Sequence, residues 1–221
     1  MKKNTIEALI FDLDGTLLNS LEDIADSANA AIQRFGAAPH AVEKYRYFVG
    51  DGLAMLMKRV MPQNSSSTVL QESVDLFESI YNERWRKKTK PYDGVMEMLE
   101  QFQETGLKMA ILSNKPDSFT QKCVKLFFPE IRFSAVAGKK DDAPPKPDPY
   151  STLKIIETLA AHPQQSLFVG DSSVDIKTGA GAGMITVGVD WGFRPKLELE
   201  EAGADIVISS PQELIHYVSK H

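Results

Sequence analysis

Ala8-Leu-Ile-Phe-Asp12-Leu-Asp14-Gly-Thr-Leu-Leu18 is the stretch that decides the fold. Its first four residues are apolar without helical spacing, the pattern of a strand buried on both faces of a parallel sheet. Two carboxylates one residue apart follow, and then a Gly-Thr turn. The aspartates therefore stand at the carboxyl end of a strand, where open α/β sheets bind ligands. Two crowded acids repel each other unless a cation or a shared proton offsets the charge. A divalent metal is the simplest partner, and hard Mg²⁺ suits carboxylate oxygens.

Outward from this strand, the next seventy residues read as helices. Ser20 with Asp23 three residues on marks a helix start. Leu21, Ile24, Ala25, Ala28, Ile32 and Phe35 then form one stripe that Gly36 ends. A short helix begins near Gly50-Asp51-Gly52, carries Leu53, Leu56, Met57 and Val60, and stops at Pro62. A third carries Leu70, Val74, Phe77 and Tyr81. No strand is expected between residues 17 and 88. Beyond Lys90 the pattern changes. A helix with Val95, Met98, Leu99 and Phe102 ends at Gly106, and strands then alternate with helices. Strands are expected at 109–112, 134–137, 166–169, 185–189 and 205–208, and helices at 118–127, 149–159, 175–182 and 211–218. Such alternation implies βαβ units and a parallel sheet covered on both faces. The fold class is α/β, a Rossmann-like parallel-sheet core with an inserted all-helical cap domain. Residues 1–16 and 89–221 form the core and 17–88 the cap, with hinges at 16–18 and 88–91.

Three later stretches place chemistry at strand ends. Ser113-Asn114-Lys115 follows the 109–112 strand, where a hydroxyl or backbone N–H can donate to a phosphoryl oxygen, although Ser-Asn-Lys-Pro also makes a plain turn. Pro144-Pro-Lys146-Pro-Asp-Pro149 sets one ammonium in a stiff loop. Gly170-Asp171-Ser-Ser-Val-Asp175 puts one carboxylate after a strand and a second at a helix start, where acids also serve as caps.

Taken in order, Asp12-Leu-Asp14-Gly-Thr16, the Ser113 stretch, Lys146-Pro-Asp-Pro149 and Gly170-Asp171 with its glycine-rich helix resemble the four signature motifs of the haloacid dehalogenase superfamily. The resemblance spans essentially the whole chain. It implies a phosphatase in which Asp12 attacks phosphorus and forms an aspartyl-phosphate. Asp14 would then protonate the leaving alcohol and afterwards deprotonate water. Mg²⁺ would be held by the Asp12 side chain, the Asp14 backbone carbonyl and Asp171. Ser113 and Lys146 would stabilise charge, while Asp175 would bind the metal through water or hold Lys146. Thr16 and Asn114, inside the first two motifs, are expected to face substrate. The acid at Asp14 disfavours dehalogenases and phosphonatases and leaves mutases open.

Substrate choice is expected in the cap. Tyr45-Arg46-Tyr-Phe-Val-Gly50-Asp-Gly52 resembles the cap segment of phosphoglycolate phosphatases, as does the Asp190-Trp191-Gly192 turn. Gly50 and Gly52 would offer N–H groups to a small carboxylate, and Arg46 would act as an anion clamp. The expected partner is a small phosphorylated metabolite, with 2-phosphoglycolate the best single choice. A pyrophosphatase, a hexose-phosphate mutase and a non-catalytic binding protein are the rivals. The first cap helix has no histidine to serve a sugar hydroxyl, which counts against the mutase.

Bulk composition agrees. In 221 residues, 43% hydrophobic and 25% charged content is that of a globular chain, and a net charge of −5 argues against a general nucleic-acid binder. The single Cys123 excludes an intramolecular disulfide and a thiolate metal site, and it reads as a half-buried structural thiol. No segment has the length of a membrane span, and Met-Lys-Lys-Asn leads into the first strand without a signal-peptide core. The cytoplasm is the expected compartment. The oligomeric state is left open. The basic run from Arg84 to Lys90 is expected to be a solvated face, and Phe77, Trp85 and Phe102 to be core.

Overall fold

Strand β1 (Ala8–Phe11) has no exposed residue and lies inside the sheet. Leu9 and Phe11 join one apolar cluster, while Ala8 and Ile10 join another on the opposite face. That split is the period-2 alternation of a strand covered on both sides. The computed structural model describes residues 5–221. The lead-in at residues 1–4 lies outside the described residues.

After β1 come β2 (Leu18–Asn19) and a helical stretch of α1 (Leu21–Gln33), α2 (Tyr45–Phe48), α3 (Leu53–Val60) and α4 (Ser67–Arg84). The chain returns through β3 (Lys90–Pro91) to α5 (Val95–Glu104), β4 (Lys108–Pro116), α6 (Asp117–Phe127) and β5 (Ala135–Lys139). It continues through α7 (Tyr150–Leu159), β6 (Ser166–Gly170), α8 (Ser173–Gly181) and β7 (Ile185–Val189). Last are α9 (Lys196–Glu201), β8 (Ile206–Ile208) and α10 (Pro211–Lys220). Six strands form one sheet in the order β5-β4-β1-β6-β7-β8, and every neighbouring pair is parallel.

The chain builds outward from β1 to β5, then crosses back to β6 on the other side of β1. That reversal makes the carboxyl end of β1 a topological switch point, where a crevice opens. Phe11 pairs with Ile111 of β4 and with Val169 of β6. This register brings Asp12, Ser113 and Asp171 to the same edge of three adjacent strands.

The two linkers to the helical stretch pair with each other. In an antiparallel ribbon, Leu18 stands opposite Pro91 and Asn19 opposite Lys90. The expectation of no strand between residues 17 and 88 therefore fails at Leu18–Asn19. Two residues carry no readable periodicity, and only the partner segment makes them a strand. Asp23, buried on α1, accepts from the Lys88 and Thr89 backbone N–H groups and from the Thr89 hydroxyl. That carboxylate pins the returning linker beside the outgoing one.

Short α2 and α9 were not expected, because neither is long enough to show a stripe. Strand β4 runs past Leu112 through Ser113-Asn114-Lys115 to Pro116, with a register shift against β5. The plain-turn alternative for that segment is thereby replaced by an irregular strand end, a device that re-aims side chains near a site. Cys123 is fully buried on α6 rather than half-buried. Phe77, Trp85 and Phe102 lie in the larger apolar cluster, which runs from the sheet into the helical stretch. Each such side chain contributes about 1.5–3 kcal/mol by leaving water. No helix among the described residues is long and apolar enough to cross a membrane.

Candidate active site

Asp12, Asp171 and Asp175 converge so that one oxygen from each lies within 4.8 Å of the others, and all three are buried. Asp12 follows β1, Asp171 follows β6, and Asp175 caps α8. A single ammonium enters this group. Lys146 Nζ, from the proline-rich loop, stands 2.8 Å from Asp12 Oδ1 and 2.6 Å from Asp175 Oδ1. The other Asp175 oxygen accepts from the Ser172 N–H and hydroxyl. Both Asp175 oxygens are thus engaged, and its side chain orients Lys146.

Three buried carboxylates against one ammonium leave a deficit of positive charge. Burial is the largest influence on Asp12 and lifts its carboxyl to about 7, with Lys146 opposing and Asp175 adding to the rise. Asp171 is held well above the usual carboxylate range by burial and by the charges of Asp175 and Asp12. For Lys146, the charges of Asp12 and Asp175 outweigh burial and keep the ammonium protonated. Asp12 Oδ1 misses hydrogen-bond alignment with Lys146 despite its closeness. A hard divalent cation between Asp12 and Asp171 would supply both the missing charge and the missing partner, so the residues fit Mg²⁺.

Asp14 is held by a different set. Its carboxylate accepts from Lys115 Nζ at 2.9 Å and from the Ser20 hydroxyl at 2.6 Å. Lys115 also donates to the Tyr81 hydroxyl of α4 at 2.7 Å, and its Nζ lies 4.8 Å from that ring's centre. Tyr81 stacks on Phe77 and meets Phe119 edge-on. Two acids one residue apart are therefore separated into distinct environments, one on Lys146 and one on Lys115. Between them, Gly15 at φ 92° turns the chain, and a Cβ there would overlap the Asp171 carboxylate. Only glycine fits.

One cleft is lined by Asp12, Asp14, Ser113, Asn114, Lys115, Lys146 and Asp171 from the core. Gly50, Gly52, Leu53 and Tyr81 line it from the helical stretch. Asn114 binds both sides of the boundary. Its amide donates to the carbonyls of Gly50 and Lys146, and its oxygen accepts from the Lys146 N–H. The loop after β7 makes further ties. Phe193 N–H donates to Asp171 at 2.7 Å, Trp191 Nε1 donates to the Thr16 carbonyl, and Arg194 donates to the Val49 carbonyl.

A profile of the haloacid dehalogenase-like hydrolases matches residues 9–189. This chain belongs to that family. The phosphoglycolate phosphatase of Psychrobacter arcticus is 32% identical over 221 residues, covering 97% of this chain and 96% of that protein. The phosphoglycolate phosphatase of Aquifex aeolicus is 29% identical, covering 98% of each. Among solved structures, a predicted phosphoglycolate phosphatase from Haemophilus somnus superposes with a TM-score of 0.91 at 25% identity, covering 98% of this chain and 99% of that one.

Within this hydrolase, most residues expected from the sequence meet in the cleft, and three do not line it: Thr16, Arg46 and Asp175, the last of these turned to Lys146 and Ser172. Thr16 is buried with its hydroxyl unpartnered among the described residues, and its carbonyl receives Trp191. Arg46 reaches across to the core and donates to the Gly192 carbonyl at 3.0 Å. Lys115, Tyr81 and Arg194 line the cleft without having been expected there. Lys115 sits inside the quoted Ser-Asn-Lys run, and Tyr81 lies on a stripe that reads as plain core. Nothing in the sequence marks Arg194.

Proposed function

We propose that this hydrolase is a Mg²⁺-dependent phosphomonoesterase acting on a small phosphorylated metabolite, with 2-phosphoglycolate the leading candidate. The observation that carries the reading is the separation of Asp12 and Asp14 onto different ammonium groups in one cleft. Neighbouring acids in unlike environments are the mark of divided acid, base and nucleophile roles.

In this scheme the Asp12 carboxylate attacks phosphorus, forming an oxygen–phosphorus bond as the bond to the leaving oxygen breaks. Asp14 gives its proton to that oxygen. Water then attacks the aspartyl-phosphate while Asp14 takes a proton back, and inorganic phosphate leaves with Asp12 restored. Ser113 and Lys146 hold the phosphoryl oxygens, and Asp175 keeps Lys146 in place. Asp12, the Asp14 backbone carbonyl and Asp171 are the residues that would hold Mg²⁺, which when bound supplies positive charge against the phosphoryl group. The helical stretch from 17 to 88 serves as a cap that excludes water and selects the leaving group.

The names of the relatives support 2-phosphoglycolate. The test is phosphate release from a panel of phosphorylated metabolites, with Mg²⁺ or chelator, for wild type and Asp12→Asn. Mg²⁺-dependent release, strongest for 2-phosphoglycolate and absent in the variant, is expected. Equal release by the variant would overturn the scheme.

A further inference from the structure

Lys115 lines the cleft beside Asp14, and its ammonium is fully spent on the protein itself. An ammonium has three N–H groups. Lys115 Nζ faces Asp14 Oδ2 at 2.9 Å, Asp14 Oδ1 at 3.2 Å and the Tyr81 hydroxyl at 2.7 Å. No N–H is left for a ligand, so any part that Lys115 has in the reaction passes through Asp14. The pair is shielded: Lys115 is buried, and the Asp14 side chain is only 11% exposed. A charge-assisted pair kept from water in this way holds its partners far more firmly than one on the surface.

The clamp leaves one site on the carboxylate open. An ionised carboxylate offers about four lone-pair sites, shared between its two oxygens. Asp14 Oδ1 accepts from Ser20 and from Lys115, whereas Oδ2 accepts from Lys115 alone among the described residues. Oδ2 is therefore the oxygen free to carry the proton that passes to the leaving oxygen as its bond to phosphorus breaks. The sheet fixes one side of this clamp. Lys115 stands two residues beyond Ser113 on β4, and its backbone N–H donates to Ser113 Oγ at 3.3 Å. The helical stretch supplies the other side. Tyr81 stands on α4, stacked on Phe77 and edge-on to Phe119, with its ring centre 4.8 Å from Lys115 Nζ. Lifting α4 off β4 takes that acceptor away and opens the ion pair to water, where such pairs are weak.

We propose that Lys115 is a positioning residue for proton transfer, which aims Asp14 Oδ2 at the leaving oxygen while Tyr81 of α4 completes the ammonium's shell. This inference rests on the phosphatase reading above and adds a residue to its proton-transfer step. A displacement of about 1 Å at a reacting group costs on the order of 10²-fold in rate. That cost falls on esters whose leaving oxygen must be protonated. 4-Nitrophenolate departs as a stable anion and needs no proton, so its ester reports on the rest of the site.

The test measures kcat/KM with Mg²⁺ for 2-phosphoglycolate, phenyl phosphate and 4-nitrophenyl phosphate. Wild type, Asp14→Asn, Lys115→Met, Lys115→Arg, Tyr81→Phe and the double variant Asp14→Asn with Lys115→Met are compared. The readout is the ratio among the esters within each sample, which is independent of the folded fraction. In Lys115→Met, 2-phosphoglycolate should lose about 30-fold or more and 4-nitrophenyl phosphate less than about 3-fold, with phenyl phosphate between them. Lys115→Arg, which keeps the charge, and Tyr81→Phe, which keeps the ammonium, should show the same order at smaller size. On top of Asp14→Asn, Lys115→Met should cost less than about 3-fold more. Equal losses for all three esters, or losses that multiply in the double variant, overturn the positioning role. So does a loss confined to 2-phosphoglycolate with the two aryl esters alike, because Lys115 would then read the leaving group's shape. Wild-type values for every ester in Tyr81→Phe overturn the share given to α4. Failure of the phosphatase reading is distinct: none of the three esters would release phosphate with wild type and Mg²⁺.

Discussion

The two halves of the cleft are built by different means. The half around Asp12 comes wholly from the α/β core: Asp12 and Asp171 follow β1 and β6, Ser113 lies near the end of β4, Lys146 stands in the loop between β5 and α7, and Asp175 stands on α8. The half around Asp14 is shared, with Lys115 from the sheet and Ser20, Tyr81, Gly50 and Leu53 from the helical stretch or its approach. Strand register sets positions rigidly, whereas a shared wall depends on how two packed units meet. Chemistry common to all phosphate esters belongs on the rigid half. Recognition of one leaving group can be changed on the shared half without disturbing the other.

The largest expected effect strikes the rigid half alone. Asp12→Asn should cost at least ~10⁴-fold in turnover, since it removes the proposed attacking group. The fold should persist, because Asp175 still pairs with Lys146. Steady-state kinetics with circular dichroism would check this, and more than about 1% residual turnover would break the assignment of attack to Asp12.

Next comes Gly15→Ala, which forces a side chain against Asp171 at a positive φ. We expect a loss of about 2 kcal/mol or more in stability, together with weaker Mg²⁺ binding. Chemical denaturation and a metal titration would measure the two. A variant with unchanged metal affinity would show that the turn and the carboxylate cluster are independent.

A smaller effect concerns pH. Asp12 is raised to about 7 in the folded protein, whereas an unfolded aspartate titrates near ~3.9. Between those values the folded chain binds the extra proton, so without metal its contribution to stability is full below about pH 4 and is lost as pH rises through about 7. Mg²⁺ favours the ionised carboxylates. Its stabilisation should therefore be larger at pH 8 than at pH 5, as read from melting temperatures with Mg²⁺ and with chelator. A pH-independent gain would sink the link between the cation and these acids.

The smallest effect tests the boundary. Arg46 donates to the Gly192 carbonyl and is otherwise exposed, so Arg46→Ala should cost about 1 kcal/mol or less. As a strut between the units it should raise KM a few-fold, equally for 2-phosphoglycolate and ethyl phosphate. A loss confined to 2-phosphoglycolate would instead make Arg46 the anion clamp that its motif suggests.

The rigid half was legible in advance because Asp12, Ser113 and Asp171 each come at the end of an apolar run and Lys146 stands in a proline-rich loop. Ala8–Phe11 and Ser166–Gly170 are apolar runs with no helical spacing, and the acids come at their ends. The ribbon of Leu18–Asn19 and Lys90–Pro91 was not legible, since its two strands exist only through each other. Lys115 was in view but unassigned. Its role depends on the strand continuing past Leu112 with a register shift, which no residue pattern announces. Tyr81 was read as core, and by burial it is; its hydroxyl's contact with Lys115 follows only from how α4 meets β4.

Sequence alone was enough to determine the alternation of strands and helices, the Asp12, Ser113 and Asp171 positions at strand ends, the Lys146 position in a proline-rich loop, and the family to which the chain belongs. Those features repeat at short range, through side-chain periodicity and the residues that end an element. Tertiary structure alone decided that Asp14 faces Lys115 while Asp12 faces Lys146, that Asp175 is spent on Lys146, and that Arg46 spans the boundary. Each of these is a contact between segments far apart in the chain, and its geometry follows from strand order and packing rather than from any local pattern.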